Sequence, residues 1–173
     1  MPNPQTSGAR RFGQAWVGFA LALALHVTDE ATHDFLSVYN PMATAIRARL
    51  PFLPLPTFSF GIWLGGLIAG ILLLLALSPP AFRGKRWLRV VAWPLGIIVG
   101  VLNALGHIGG SLIFHRWMPG VYSAPVILAA GVWLMWTARR TGESPSQTVR
   151  YPGRRRDPAP PRAARTTPES GRR

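Results

Sequence analysis

Four residues that can bind a metal ion or move a proton occur in one short segment, the His-x-x-Asp-Glu-x-x-His sequence from His26 to His33. At 100° per residue, Asp29, Glu30 and His33 fall within about 60° of His26, so a helix places all four on one face. His26 and Glu30 are four residues apart, and Glu30 and His33 are three apart. These spacings let two side chains share one ion or one proton network.

A second polar pair, Asn103 and His107, is also spaced four residues apart within a later apolar segment. His26 and Glu30 lie 15 and 19 residues after Arg11, the last basic residue before their segment. Asn103 and His107 lie 14 and 18 residues after Arg89, the last basic residue before theirs. At 1.5 Å per residue both pairs lie roughly 21 to 28 Å from the basic ends. A packed bundle can therefore bring the two polar faces together, with Asn103 as a supporting residue.

The segments that must position these residues are apolar and long. Of the 173 residues, 49% are hydrophobic and 14% are charged, which is a composition typical of a membrane protein. About 20 apolar residues cross the ~30 Å hydrocarbon core as a helix. We predict an all-α integral membrane bundle of four transmembrane helices over residues 12–138. The spans are about 12–36, 58–77, 90–114 and 119–138.

The first span has an alternative interpretation as a cleaved signal peptide. Arg10 and Arg11 precede its apolar stretch, and Ala22-Leu23-Ala24 resembles a cleavage site. Against cleavage, the helical pattern continues past this point to residue 36 and meets no turn residue until Asn40-Pro41. A retained helix is the better interpretation.

The basic residues indicate the orientation of the bundle, because cytoplasmic loops retain Lys and Arg. Sixteen of the 19 fall in residues 1–11, in the loop between the second and third spans, or in the tail 139–173. The other side has only Arg47, Arg49 and Arg116. We predict an N-in, C-in protein of the plasma membrane, with residues 1–11 in the cytoplasm. The preference for Arg over Lys points to a bacterial source.

The tail from 139 to 173 is rich in Pro, Arg, Ser and Thr and has few large apolar residues. Such a segment cannot offset the entropy of ordering, so we predict disorder. Beside a bilayer, its arginines attract anionic headgroups. Nucleic acid is not an expected partner, since Tyr151 is the tail's only aromatic residue. The expected partners are the lipid bilayer and a lipid substrate.

Between the first two spans, Asn40 to Thr57 is predicted to contain a short surface helix capped by Asn40, with Pro41 at its first position. Three glycine pairs have the small-xxx-small spacing that lets membrane helices pack closely. These pairs are Gly66 with Gly70, Gly96 with Gly100, and Gly106 with Gly110.

Residues 12 to 138 resemble the HXXEE family of multi-pass membrane proteins. Its pattern is His-x-x-Glu-Glu, a later His, and then Tyr-x-Pro-Gly. Here the corresponding residues are His26 to Glu30, His107, and Trp117 to Gly120, with Asp29 and Trp117 in place of the usual Glu and Tyr. Trp117 removes the phenol, which argues against catalysis through that hydroxyl. The resemblance implies a membrane domain and no particular activity.

The residues themselves favour a metal-dependent membrane hydrolase acting on a lipid or another amphipathic substrate. His26, Glu30 and His107 would bind the metal, with His33 as a fourth ligand and zinc as the favoured ion. Asp29 would take a proton from the bound water or orient a His ligand, so Asp29 and Glu30 are the catalytic candidates. The chain has no Cys, which excludes thiolate sites, and the other spans supply no carboxylate for a di-iron pair.

Three alternatives stay open at this point. In a metal-free lipid isomerase, Glu30 and a His would move a proton within the substrate. In a carrier, the same polar stripe would relay protons or bind a cation. In a non-catalytic scaffold, it would only pair the first and third spans. Whether the protein is an enzyme is therefore not decided by the sequence.

Overall fold

The structure, a computed structural model, describes residues 4–142. Over this range it has six helices and no strand, which confirms the all-α prediction. The helices are α1 (Pro4–Thr32), α2 (Phe35–Arg49), α3 (Phe60–Ala76), α4 (Ser78–Phe82), α5 (Arg86–Ile113) and α6 (Ala124–Gly142). The predicted tail begins inside α6, and its remainder, residues 143–173, lies outside the described residues.

Three of the predicted spans correspond to α3, α5 and α6, with bounds that differ by at most five residues. Among the described helices, α5 is the one long and apolar enough to cross a membrane by length and composition. Helix α3 is apolar but has only 17 residues. The structure thus supports one candidate span, and the four-span arrangement is not confirmed by helix length.

Helix α1 ends at Thr32, four residues before the predicted end of the first span. The Thr32 hydroxyl donates to the Thr28 carbonyl at 2.8 Å, and His33 Nδ1 lies 2.8 Å from the Asp29 carbonyl oxygen. These side chains occupy carbonyls at the end of the helix. Asp34 then adopts a left-handed conformation with φ 53°, which Asp tolerates better than most residues. The chain therefore turns into α2 earlier than periodicity predicts.

The surface helix after the first span exists, but it begins at Phe35, so Pro41 lies inside α2 and not at its first position. Asn40 does not cap it. Its Nδ2 donates to the Phe58 carbonyl at 2.9 Å, and the Phe58 N–H donates to its Oδ1 at 3.1 Å. Asn40 therefore ties α2 to the chain that enters α3.

Helix α5 has a π-helical middle, Leu95–Leu102, between two α-helical parts. Pro94 immediately precedes this segment. Because proline has no N–H and its ring clashes with the carbonyl four residues back, it disturbs the regular hydrogen bonding that continues an α-helix. The α-helix resumes at Asn103. The polar residues of α5 therefore lie on a regular helix directly after the widened segment.

Helix α1 runs through the core. Phe12, Trp16 and Phe19 are almost completely buried, and the Trp16 indole donates to the Leu74 carbonyl of α3 at 2.7 Å. Helix α6 packs along α1 in the opposite direction, since Thr141 bonds to the Gly8 carbonyl at one end. Helices α5 and α6 also pack on each other. Helices α3, α4 and α6 thus pack against α1, whose polar segment lies at one end of the bundle.

Glycines bring α5 and α6 into backbone contact. A Cβ at Gly100 would lie 2.9 Å from the Gly131 Cα, and a Cβ at Gly96 would lie 3.0 Å from the Gly131 carbonyl oxygen. By contrast, a Cβ at Gly66 or Gly106 would meet nothing within 4 Å. Of the three predicted glycine pairs, Gly96 with Gly100 is therefore the one that packs helices closely.

We expect Gly100→Ala to lower the free energy of unfolding by about 1–3 kcal/mol, because the added methyl overlaps with backbone that cannot rotate away. The control Gly106→Ala lies on the same helix in open space, so it should be neutral or stabilise by up to about 1 kcal/mol. Thermal unfolding of the purified variants, followed by circular dichroism, measures the difference. Equal melting temperatures for the two variants would show that the glycine contact does not limit packing.

Candidate functional site

The polar residues of three elements meet at one end of the bundle. The last two turns of α1 supply His26, Asp29 and Glu30. The last part of α5 supplies His107, and the turn before α6 supplies Ser123. His26, Glu30 and His107 are all buried, with 1%, 5% and 7% of their surfaces exposed. A cluster of three metal-binding side chains therefore lies inside an otherwise apolar bundle.

The side chains of His26 and His107 converge on the Glu30 carboxylate. His107 Nε2 lies 3.0 Å from Glu30 Oε1, and His26 Nε2 lies 3.6 Å from the same oxygen. The two imidazole rings stand nearly perpendicular, with centroids 4.9 Å apart. One potential ligand atom from each residue lies within 4.8 Å of the other two. We refer to His26, Glu30 and His107 as the His–Glu–His cluster.

These separations match the size of a metal site. Zinc binds imidazole nitrogen and carboxylate oxygen at about 2.0–2.2 Å, so neighbouring ligand atoms of a tetrahedral site are about 3.3–3.6 Å apart. The distances from Glu30 Oε1 to the two histidine nitrogens, 3.0 and 3.6 Å, bracket that range. The His–Glu–His cluster can therefore hold a divalent ion with small side-chain movements, and three protein ligands leave a fourth position open.

Asn103 completes the match between the faces of α1 and α5. Its Nδ2 lies 2.7 Å from His26 Nε2, one turn below the contact between His107 and Glu30. The two polar pairs, predicted to lie at equal heights, thus make two direct contacts, Asn103 with His26 and His107 with Glu30. Asn103 touches His26 and supports its ring.

A hydrogen-bonded chain fixes His26 from its other side. The Ser123 hydroxyl donates to Asp29 Oδ2 at 2.7 Å, and the Ser123 backbone N–H donates to the same oxygen at 2.9 Å. His26 Nδ1 lies 2.8 Å from the Ser123 hydroxyl oxygen. Because the single hydroxyl hydrogen points to Asp29, His26 Nδ1 must carry a proton and donate it. His26 Nε2 is then left with a lone pair that faces Glu30 and Asn103.

Gly120 lets the turn before α6 approach the cluster. It has φ +86°, and a Cβ there would lie 2.8 Å from His107 Cε1 and 3.0 Å from Glu30 Cγ. Only glycine satisfies both the left-handed backbone and the contact. This gives the Pro119-Gly120 motif a structural role. Trp117, by contrast, is 75% exposed.

His33 is not brought into the cluster. Its Nδ1 lies 2.9 Å from Asp29 Oδ1, its ring packs against Tyr122, and its side chain is half exposed. Asp29 lies beside the cluster and contacts Ser123 and His33, so its oxygens bond away from Glu30. Asp34 and His115, both with left-handed backbone, are solvent-exposed and lie outside the site.

Ser123 is the residue of the candidate site that the sequence analysis missed. The available signal was its position directly before the apolar helix α6, where Ser commonly caps a helix. Its role toward Asp29 and His26 spans more than 90 residues of sequence, and no local pattern predicts that contact. The helical-wheel argument correctly placed His26 and Glu30 on the face that meets α5.

The fold and the site define an all-helical bundle with a buried cluster of two His and one Glu, supported by an Asp–Ser pair. The chain matches the family described as "Protein of unknown function with HXXEE motif" over residues 16–134. The protein therefore belongs to the HXXEE family, as its motifs predicted. No curated protein and no solved structure matches the chain.

We expect Ser123→Ala to release the ring of His26, because the variant removes the acceptor of Nδ1 and the link to Asp29. The control Ser123→Thr keeps the hydroxyl. Histidine ¹⁵N NMR of the purified protein should show a protonated Nδ1 and an unprotonated Nε2 at His26 in the wild type and in the Thr variant. The Ala variant should lose this pattern. Unchanged His26 nitrogen shifts in the Ala variant would contradict the assignment.

Proposed function

We propose that the protein is an integral membrane metalloenzyme in which His26, Glu30 and His107 bind a divalent ion, with zinc favoured, and that it hydrolyses a lipid or another amphipathic substrate. The convergence of these three buried side chains from α1 and α5 carries the proposal. Two His and one carboxylate are a ligand set of catalytic zinc sites, in which the open fourth position holds a water. Bound zinc lowers the pKa of that water to about 7.

The protonation of the cluster supports a cation between its members. With its proton on Nδ1, His26 presents a lone pair from Nε2 toward Glu30 Oε1, 3.6 Å away. Asn103 Nδ2 donates to this nitrogen at 2.7 Å, and a divalent ion held by both residues would take the place of that hydrogen bond. His26 Nε2 and Glu30 Oε1 thus lie side by side with lone pairs that can serve as metal ligands.

Asp29 and Ser123 would hold His26 as a ligand. Hydrogen bonds to the far nitrogen of a metal-bound His fix its ring and raise its basicity. Here the Ser123 hydroxyl transmits that support from the Asp29 carboxylate. The geometry favours this orienting role for Asp29 over the alternative role as a proton acceptor, because both of its oxygens already face Ser123 and His33.

Apolar side chains on the outside of the bundle support the membrane location. Many large aliphatic residues of α1, α3 and α5 are more than half exposed, and only 28% of the apolar part of α5 is buried. Water-soluble monomers rarely expose such extensive apolar surface. The exposed residues include Leu21, Ile62, Leu72, Ile98, Leu102 and Leu112. With the basic residues at one end, this favours the N-in, C-in topology in the plasma membrane.

The packing of α1 supports its retention as a helix of the mature protein. Phe12, Trp16 and Phe19 lie before the Ala22-Leu23-Ala24 segment and are at most 1% exposed. Cleavage there would remove these three core side chains and open the bundle. Each large buried side chain lost costs about 3–5 kcal/mol, so cleavage would remove much of the packing that stabilises the other helices.

Metal content tests the binding step. We expect detergent-purified wild type to contain about one divalent ion per chain by plasma mass spectrometry, and His26→Ala, Glu30→Gln and His107→Ala to lose most of it. The matched control His33→Ala, only seven residues from His26 but outside the cluster, should keep the ion. Circular dichroism and yield verify folding. Metal-free wild type that stays metal-free after incubation with zinc would refute the proposal.

Turnover tests the chemical step. In reconstituted vesicles, we expect the zinc-loaded wild type to hydrolyse one or more ester- or amide-linked lipid substrates in a fluorogenic panel. Glu30→Gln, which is nearly isosteric, should lose at least about a hundredfold in rate because it loses the anionic ligand. His33→Ala should retain activity. A scaffold would instead show a reduced folded yield for Glu30→Gln and no turnover in any variant.

Metal-free proton transfer is the second candidate, and the 3.0 Å contact between His107 Nε2 and Glu30 Oε1 favours it. This hydrogen-bonded pair could move a proton within a bound lipid, as an isomerase requires. The two candidates differ in their response to a chelator. Lipid turnover that continues at the full rate after a chelator has removed the metal supports the isomerase and contradicts the hydrolase.

A further inference from the structure

A recess of about 460 Å³ lies between α5 and α6 at the end of the bundle opposite the His–Glu–His cluster. It is lined by Arg86, Arg89, Val90, Trp93 and Ala138. The four α5 residues follow the i, i+3, i+4, i+7 spacing of one helix face. The recess therefore has two guanidinium groups at its outer end and an apolar wall beyond them.

Within residues 4–142, no carboxylate lies near the arginines of this recess. The acidic residues in the described range are Asp29, Glu30 and Asp34, which all lie at the opposite end. Arg89 Nε is buried, and no acceptor within residues 4–142 bonds to it. A buried donor of a charged group without a partner is costly. The missing acceptor is therefore best supplied by an anion from outside the described bundle.

The walls of the recess indicate what carries the anion. Val90 and Trp93 are 64% and 43% exposed, and they continue the same face toward the middle of the apolar helix α5. Inorganic phosphate would use the arginines alone and leave this apolar wall bare. An occupant with a phosphate at one end and a hydrocarbon chain at the other fits both parts.

We propose that this recess binds an anionic phospholipid. Arg86 and Arg89 donate to the headgroup phosphate, because the planar guanidinium fork matches the oxygens of a phosphate. One acyl chain lies along Val90 and Trp93, and the Trp93 ring lies near the level of the headgroups, where Trp is common. The inference rests on the membrane location within the proposed function and is independent of the metal.

The bound phospholipid is separate from the candidate active site. Arg89 and His107 are 18 residues apart on α5, which places the recess roughly 25 Å from the cluster. A lipid headgroup held there cannot reach Glu30. The lipid therefore acts as a bound partner that joins α5 to α6, and it is not the substrate of the cluster.

Native mass spectrometry of the full-length protein tests the lipid site. The probes are phosphatidylglycerol and phosphatidylcholine, each added to the detergent-solubilised protein, and inorganic phosphate. We expect the wild type to retain one phosphatidylglycerol under collisional activation and to bind it about tenfold or more tightly than phosphatidylcholine. Arg86→Gln/Arg89→Gln should reduce the retained lipid at least about tenfold, as expected when charge-assisted hydrogen bonds are lost.

The matched control is Arg83→Gln/Lys85→Gln, which removes two positive charges from the same end without altering the recess. It should retain the lipid as the wild type does, and all variants keep the same arginine-rich tail. If the double variant Arg86→Gln/Arg89→Gln does not fold, Arg86→Lys/Arg89→Lys replaces it. That variant keeps both positive charges and loses the planar guanidinium groups, so it should retain less phosphatidylglycerol than the wild type and than Arg83→Gln/Lys85→Gln.

Equal loss of lipid in the two double variants would overturn the proposal, because it would show that charge alone attracts the lipid. If millimolar inorganic phosphate displaces the lipid and raises the melting temperature of the protein as much as the lipid does, the recess binds free phosphate and the lipid proposal is overturned as well. Metal content is measured in the same samples. A wild type that stays metal-free after incubation with zinc and still holds phosphatidylglycerol would refute the metalloenzyme but not the lipid site.

Discussion

The burial of the Glu30 carboxylate is the constraint on which the rest of the structure depends. An ionised carboxylate in an apolar interior costs several kcal/mol unless other groups neutralise and hydrogen-bond it. His107 meets that need from α5, and His26 lies beside it on α1. Because a shift of one turn would separate Glu30 from His107, their contact fixes the register of the two helices. The packing of the bundle is thus coupled to the chemistry of its polar end.

The third partner is α6, which reaches the polar end through close backbone packing at its middle. Gly131 lies against Gly100, so α5 and α6 approach more closely than side chains would permit. The same approach brings the turn before α6 over the cluster, where Gly120 fits against His107 and Ser123 bonds to Asp29. Small residues in the apolar region therefore position polar residues many ångströms away. This explains how a bundle with few polar contacts holds a site of defined geometry.

Local periodicity predicted the parts of the site that lie on continuous helices. The i, i+4 spacing of His26 with Glu30 and of Asn103 with His107, together with their equal heights, indicated that the two polar faces could meet, and the contacts between α1 and α5 come from the structure. Periodicity could not predict the turn at Asp34, because the apolar pattern of the sequence continues beyond that residue. The helix ends there because side chains hydrogen-bond to the last carbonyls of α1. Ser123 was missed for a related reason. Its partners are distant in sequence, and a Ser before a helix normally serves only as a cap.

The Asn103 amide and a bound ion would compete for the same lone pair, that of His26 Nε2. An ion that binds His26 through Nε2 must displace the amide at 2.7 Å, so its apparent affinity is reduced by the free energy of that hydrogen bond, about 1 kcal/mol. The same amide keeps the nitrogen satisfied when no ion is bound and so removes the penalty of an empty polar cavity. If the cluster binds an ion as proposed, Asn103 would act as its internal substitute and would lower the binding affinity in exchange for a stable metal-free state.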